Sequence, residues 1–352
     1  QGATLMRLDA VAFLWKTLGT SCVHMAQTHV VVRLFRAISD YLQPGALMVT
    51  ETNVPHRENL SYFGDGDEAH LVYQFALPPL ILFTMNRGNA DLLTNWAQSL
   101  APPPENCTFL NFTASHDGIG LRALEGILPV HEVNSLIDSM HSFGGYVSMK
   151  ANPDGTDSPY EINITYFDAM MGTRRGSDSF QVARFICSQS IMLVLQGLPA
   201  FYIHSLLGTP NDQRGVEVTG RLRSINRKRW NLTELLTLLH KPHSLQGQVY
   251  HELRRRIAVR QQHAAFSPMA TQKIVDLDSH LFIVQRGEGE EALVCVFNVA
   301  PQEVGLSMVK LLHSEVHGAV DVLTGQHHSA GKLLEMMPYQ CLWLRPVEEP
   351  AA

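Results

Sequence analysis

Short apolar runs that end in polar or acidic residues, separated by longer helical stretches, most narrow what this chain can fold into. Residues 4–8, 46–49, 108–112 and 200–203 form four such runs, and residues 71–75 form a weaker fifth. Apolar residues at helical spacing fill 29–42, 92–100, 130–143 and 178–195. Strands alternating with helices predict an α/β fold with a parallel sheet, because a parallel neighbour is reached only through a crossover. Near-continuous apolar strands suit burial on both faces. From about residue 265 the pattern changes: 272–277, 280–286, 291–298, 319–323 and 339–344 are short runs without helices between them. They predict a small antiparallel β-sandwich after a linker at 263–268. The expected division is therefore a catalytic part over 1–264 and a β-sheet domain over 265–352.

Three acids stand out by position. Asp9, Glu51 and Asp117 each fall at, or just past, the C-terminal end of an apolar run. In a (β/α)8 barrel that rim is where catalytic residues gather, whereas a merely solvated acid has no reason to prefer it. The three are too far apart in sequence for one helix face, but they suit different strands of one barrel. A pair of carboxylates roughly 5–5.5 Å apart can cleave a glycosidic bond with retention, one as nucleophile and one as acid. A third can hold sugar hydroxyls and favour the oxocarbenium-like transition state.

Composition excludes other classes. The net charge is −6, and basic runs are as short as Arg254-Arg255-Arg256, so no stripe for nucleic acid exists. The most apolar stretch, 185–207, is broken by Gln189, Gln196 and Pro199 and is not read as a membrane span. Five scattered cysteines without a C-x-x-C pair predict buried, reduced thiols and a cytoplasmic protein. No histidines lie at metal-ligand spacing, so no metal is expected. Trp15, Trp96, Trp230 and Trp343 are read as packing residues, and Gly144-Gly145 as a helix C-cap. The chain opens at Gln1 directly into an apolar strand, from which an upstream part is expected.

At the acids the chain resembles the α-amylase family, glycoside hydrolase family 13. Met6-Arg7-Leu8-Asp9-Ala10-Val11 is similar to its nucleophile strand, Val49-Thr50-Glu51 to its acid/base strand, and Ser115-His116-Asp117 to its third motif. The resemblance implies Asp9 as nucleophile supported by Arg7, Glu51 as acid/base, Asp117 as transition-state stabiliser and His116 as a sugar ligand. It also implies a fold: the C-terminal portion, strands four to eight, of a (β/α)8 TIM barrel, followed by the small antiparallel β-sandwich.

Leu8-Asp9-Ala10-Val11, Phe75-Ala-Leu-Pro-Pro79, His116-Asp-Gly-Ile-Gly120 and Arg223-Ser-Ile-Asn-Arg227 narrow the likeness to the sucrose phosphorylase subfamily. By that likeness Arg223 contacts the glucosyl unit, and Asn211 and Asp212 lie in a loop lining its pocket. Residues 145–165 become a mobile acceptor loop, with Tyr160 facing phosphate or acceptor. Arg174, Arg175 or Arg214 are the further candidates for holding phosphate. Glu161, where sucrose phosphorylases tend to carry Gln, and Thr52-Asn53 after the acid point to the glucosylglycerate phosphorylase branch. Asn53 and Glu161 would then help select the acceptor. The implied activity is glucosyl transfer by double displacement between a small α-glucoside and inorganic phosphate. Phosphate is the co-substrate, and there is no cofactor. Sucrose or sucrose-6-phosphate phosphorylase, a plain α-glucoside hydrolase or transglucosidase, and an inactive truncated fragment are the alternatives.

Overall fold

The computed structural model describes residues 2–152, 154–312 and 317–347. Its first layer is a five-stranded parallel sheet. The strands β1 (Leu5–Leu8), β2 (Leu47–Thr50), β3 (Leu71–Tyr73) and β4 (Thr108–Asn111) lie in chain order, and β10 (Leu198–Pro199) follows β4. The crossovers are α1 (Ala26–Leu42), α2 (His56–Leu60), the pair α3 (Leu77–Arg87) and α4 (Asp91–Ser99), and the pair α5 (Val130–Ser142) and α6 (Gln181–Val194). Register pairs Arg7 with Val49 and Tyr73 with Leu110. One face therefore carries Val49, Leu71 and Leu110, and the other packs Met48, Val72 and Phe109 against Val32 of α1.

Two expectations shift. The fifth strand is Leu198–Pro199 rather than 200–203. Ala200 N–H still donates to Asn111 O at 2.8 Å, where the edge of β4 ends, and the chain then turns into α7 (Ile203–Leu206). The segment 145–165 is not a free loop. β5 (Ile119–Gly120), β6 (Tyr146–Ala151) and β7 (Asp157–Asn163) form an antiparallel sheet in the order β5-β7-β6. Backbone pairing thus holds Tyr160 and Glu161 in a strand. Gly144, at φ +83°, ends α5, and Gly145 N–H reaches back to Met140 O at 2.9 Å, as the paired glycines predicted.

Some elements left little trace in the sequence. Pro78 and Pro79 look like helix breakers, yet they occupy the first turn of α3, where the missing N–H costs nothing. A two-residue pair, β8 (Gly172–Thr173) and β9 (Gly176–Ser177), precedes α6. After α8 (Gln213–Thr219) and α9 (Leu232–Leu239), the polar α10 (Leu245–Gln261) packs Val249 and Leu253 into the main core.

The last part is a six-stranded antiparallel sheet. Its strands are β11 (Gln272–Val275), β12 (Leu281–Arg286), β13 (Leu293–Asn298), β18 (Cys341–Val347), β15 (Gly318–Asp321) and β16 (His327–Ser329), in that spatial order. A separate pair, β14 (Val304–Ser307) and β17 (Leu333–Met336), covers one face. Leu281 and Ile283 pack there with Leu306 and Met336. The alternate residues Phe282 and Val284, with Phe297 and Trp343, join the core of α6 instead. Phe266, inside the expected linker at 263–268, is buried against Trp343 with ring centroids 4.8 Å apart. The two parts therefore share one core. Among the described residues no helix is long and apolar enough to cross a membrane. All five thiols are free, four of them buried and Cys22 partly exposed.

Candidate active site

The two-residue alternation of a strand persists one residue past its end, so Asp9 continues the face of Arg7, and Glu51 that of Val49. Glu51 N–H donates to Leu8 O at 3.0 Å, extending the β1–β2 pairing to this point. Ala10 then adopts a left-handed conformation, φ 47°, and turns its N–H onto Glu51 Oε2 at 2.9 Å. Arg7 reaches Asp9 Oδ1 with Nη1 at 2.5 Å and Glu51 Oε2 with Nη2 at 3.9 Å. One guanidinium thus touches both carboxylates, which keeps them close. Their surroundings differ sharply: the Asp9 side chain is 72% exposed and the Glu51 side chain 16%. Burial raises the Glu51 pKa above the usual carboxylate range, partly offset by the Ala10 N–H and Arg7 and pushed further by Asp9 and Asp117.

Asp117 arrives from the far side, in the segment after β4. Ser115 Oγ accepts its N–H at 3.1 Å, and Asn226 Nδ2 donates to its carbonyl at 2.8 Å. Its Oδ1 accepts from Arg223 Nη1 at 2.6 Å and Arg227 Nη2 at 3.2 Å. Arg223 is in turn gripped by Glu161, Nε to Oε1 and Nη2 to Oε2, both at 2.8 Å. That fork-to-fork pair is geometrically specific, and Glu161 is only 3% exposed. The Glu161 bond is the leading cause that lifts the Arg223 pKa further, so its charge is fixed.

Arg7, Glu51, Asn53, His116, Asp117, Tyr160, Glu161 and Arg223 all line one cavity of about 230 Å3 between the sheet rim and β7. Tyr73, Phe75 and Phe112 form an apolar wall. Asp9 is outside that lining and is joined to it through Arg7. Burial raises the Tyr160 pKa, so its hydroxyl stays a neutral donor. Asn53 leans on Gly120, where an added Cβ would lie 2.6 Å from Nδ2, so a larger residue there would displace the Asn53 amide. A larger cavity of about 550 Å3 lies between α4 and β11, but its lining holds no ionisable side chain and cannot do acid–base chemistry.

Other residues go elsewhere. Asp212 caps α8, accepting from Gly215 N–H at 2.9 Å, and lies outside the 230 Å3 cavity. Asn211 also lies outside it, accepting Thr165 N–H at 2.8 Å and so bracing the end of β7. None of Arg174, Arg175 and Arg214 lines it; its guanidinium groups come from Arg7 and Arg223. Asn226 and Arg227 close the motif that begins at Arg223 but were given no role from the sequence, although 223, 226 and 227 follow the i, i+3, i+4 spacing of one helical face.

No family model matches the chain. Glucosylglycerate phosphorylase of Escherichia coli is 43% identical over 347 residues, covering 98% of this chain and 61% of that protein. The glucosylglycerate phosphorylase of Allomeiothermus silvanus is 42% identical over 97% of this chain and 60% of its own length. That of Spirochaeta thermophila is 39% identical over 99% and 61%. The chain therefore spans about three fifths of the length of the curated relatives it matches. The crystal structure of sucrose 6F-phosphate phosphorylase from Thermoanaerobacter thermosaccharolyticum superimposes with a TM-score of 0.70. It shares 20% identity and covers 96% of this chain and 61% of that one.

Proposed function

We propose that this relative of the glucosylglycerate phosphorylases is itself a retaining glycoside phosphorylase, moving a glucosyl unit between glucosylglycerate and inorganic phosphate. The observation that carries the reading is the pair of carboxylates joined by Arg7, one open to solvent and one desolvated with its pKa raised. Such a split assigns nucleophile and acid. Glu51 protonates the glycosidic oxygen as that bond breaks, and Asp9 attacks the anomeric carbon to form a glucosyl ester, releasing glycerate. Glu51, now a carboxylate, takes the proton from phosphate as a phosphate oxygen displaces Asp9. Two inversions leave α-glucose 1-phosphate.

Asp117, held by Arg223 and Arg227, is in this reading the charge that favours the oxocarbenium-like transition state, with His116 on a sugar hydroxyl. Arg7 and Arg223 offset the repulsion between an entering anion and three acids. Tyr160, Asn53 and Glu161 form the acceptor side. The five parallel strands are then part of a (β/α)8 barrel whose rim bears the site. The reaction needs phosphate and a small glucoside but no further cofactor, and it belongs in the cytoplasm.

The exposure of Asp9 favours one second reading, with water as acceptor and glucose as product. The test is kcat/KM for 2-O-α-glucosylglycerate and for sucrose in phosphate buffer, with products identified. The expected preference for glucosylglycerate is at least about tenfold, roughly 1.4 kcal/mol in transition-state binding. Equal use of sucrose would remove the glycerate assignment, and glucose as the sole product would remove the phosphorylase.

A further inference from the structure

A third, smaller cavity lies where the helical layer meets the antiparallel sheet, and it shares no residue with the catalytic one. Its volume is about 80 Å3, room for roughly two or three water molecules or one tetrahedral oxyanion. Three elements build it. Asn86, Arg87 and Gly88 come from the end of α3, Thr173, Arg174 and Arg175 from the β8–β9 turn, and His280 with residues 300–302 from the sheet loops.

The chemistry of this lining is incomplete without a ligand. Asn86 is 2% exposed, yet neither its Nδ2 nor its Oδ1 has a hydrogen-bond partner among the described residues. A buried carboxamide left unpaired costs stability. The Nε of Arg87 is also unpaired. Arg174 and Arg175 are exposed, and among the described residues no carboxylate pairs with either. Opposing charge is present but already committed. Glu132 is paired with Arg87, and Asp278 Oδ1 lies 3.3 Å from His280 Nδ1. The negative end of α3 is partly answered as well, because Arg174 N–H takes the Asn86 carbonyl at 3.1 Å. Two unpaired guanidinium groups outweigh the roughly half charge of a helix terminus.

We propose that this cavity is a second anion site that takes a tetrahedral oxyanion, inorganic phosphate or sulfate. Arg174 and Arg175 supply the charge and Asn86 the directed hydrogen bonds. A protonated phosphate oxygen would also satisfy Asn86 Oδ1. Pro78, which lines the catalytic cavity, and Asn86 lie on the same helix, about 12 Å apart along its axis. The bound anion ties α3 to the C-terminal sheet and does not take part in glucosyl transfer.

The experiment is calorimetric titration of the protein with sulfate and, separately, with phosphate, at ionic strength held constant with chloride. Sulfate is not turned over, so its binding is read without catalysis, and Arg223→Lys reports any sulfate held in the catalytic cavity instead. The expected result is that Arg174→Ala/Arg175→Ala weakens sulfate binding at least tenfold and leaves kcat/KM for phosphorolysis within twofold. Asn86→Leu should weaken it likewise, and Arg223→Lys should not. The double variant alters only exposed side chains, so it remains decisive if the Asn86 variant fails to fold. No uptake of sulfate by the unaltered protein, equal affinity in the double variant, or loss that follows Arg223 instead would overturn the proposal.

Discussion

The two flanks of the catalytic cavity are built on opposite plans. On the β1 flank Asp9 is tethered by one guanidinium and is otherwise open to solvent. On the β4 flank Asp117 is clamped by Arg223 and Arg227, and Arg223 is locked in turn by the buried Glu161. A nucleophile must keep an oxygen free to bond carbon, whereas a stabilising charge works best when it cannot move. Glu51 is the desolvated member of the three, and burial raises its pKa. The difference teaches that, in the proposed mechanism, three carboxylates would take three roles from their surroundings.

Each side of this comparison can be broken by substitution. The largest effect is expected at Asp9: Asp9→Asn should lower kcat by about 10^4-fold or more, since an amide cannot form the glucosyl ester. Steady-state rates measure it, and a loss below about tenfold would deny Asp9 its role. Next, Glu51→Gln should cost about 10^2–10^4-fold with glucosylglycerate but under about tenfold with a glucoside whose leaving group needs no proton. Equal losses for the two substrates would contradict the acid assignment. The same substitution should remove the alkaline fall of kcat/KM, because only protonated Glu51 is competent in the first step.

Smaller effects sharpen the other flank. Glu161→Gln keeps the shape but halves the grip on Arg223, and should reduce kcat/KM by about tenfold to a hundredfold, as for a group acting through another. Unchanged kinetics would show that the clamp is only scaffolding. The smallest effect is on stability. Burial raises the Glu51 pKa, so the folded state binds that proton more tightly than the unfolded chain does. The resulting stability is present at low pH and lost as pH climbs through the raised value. Melting curves of Glu51→Gln against the unaltered protein should therefore favour the variant increasingly as pH rises above the ordinary carboxylate range. A difference that shrinks as pH rises would contradict the burial argument.

How much the sequence disclosed follows from which forces act locally. Apolar runs ending in acids marked β1, β2 and β4, because strand burial and rim position are written in consecutive residues. The hairpin β6–β7 was read as a loop, since its pairing depends on cross-strand partners rather than on an apolar pattern. Helix α10 is polar along most of its length and shows itself only through Val249 and Leu253. In the candidate site, the sequence named Asp9, Glu51 and Asp117, but not the chain of contacts from Glu161 through Arg223 to Asp117. It joins residues 62 and 106 positions apart, and no local rule links them.

The most direct test of the central claim is the anomeric configuration of the sugar phosphate formed from an α-glucoside and inorganic phosphate, read by proton NMR. Double displacement through Asp9 gives α-glucose 1-phosphate. The β-anomer would mean a single inversion with no glucosyl ester, and would contradict the roles assigned to Asp9 and Glu51 together.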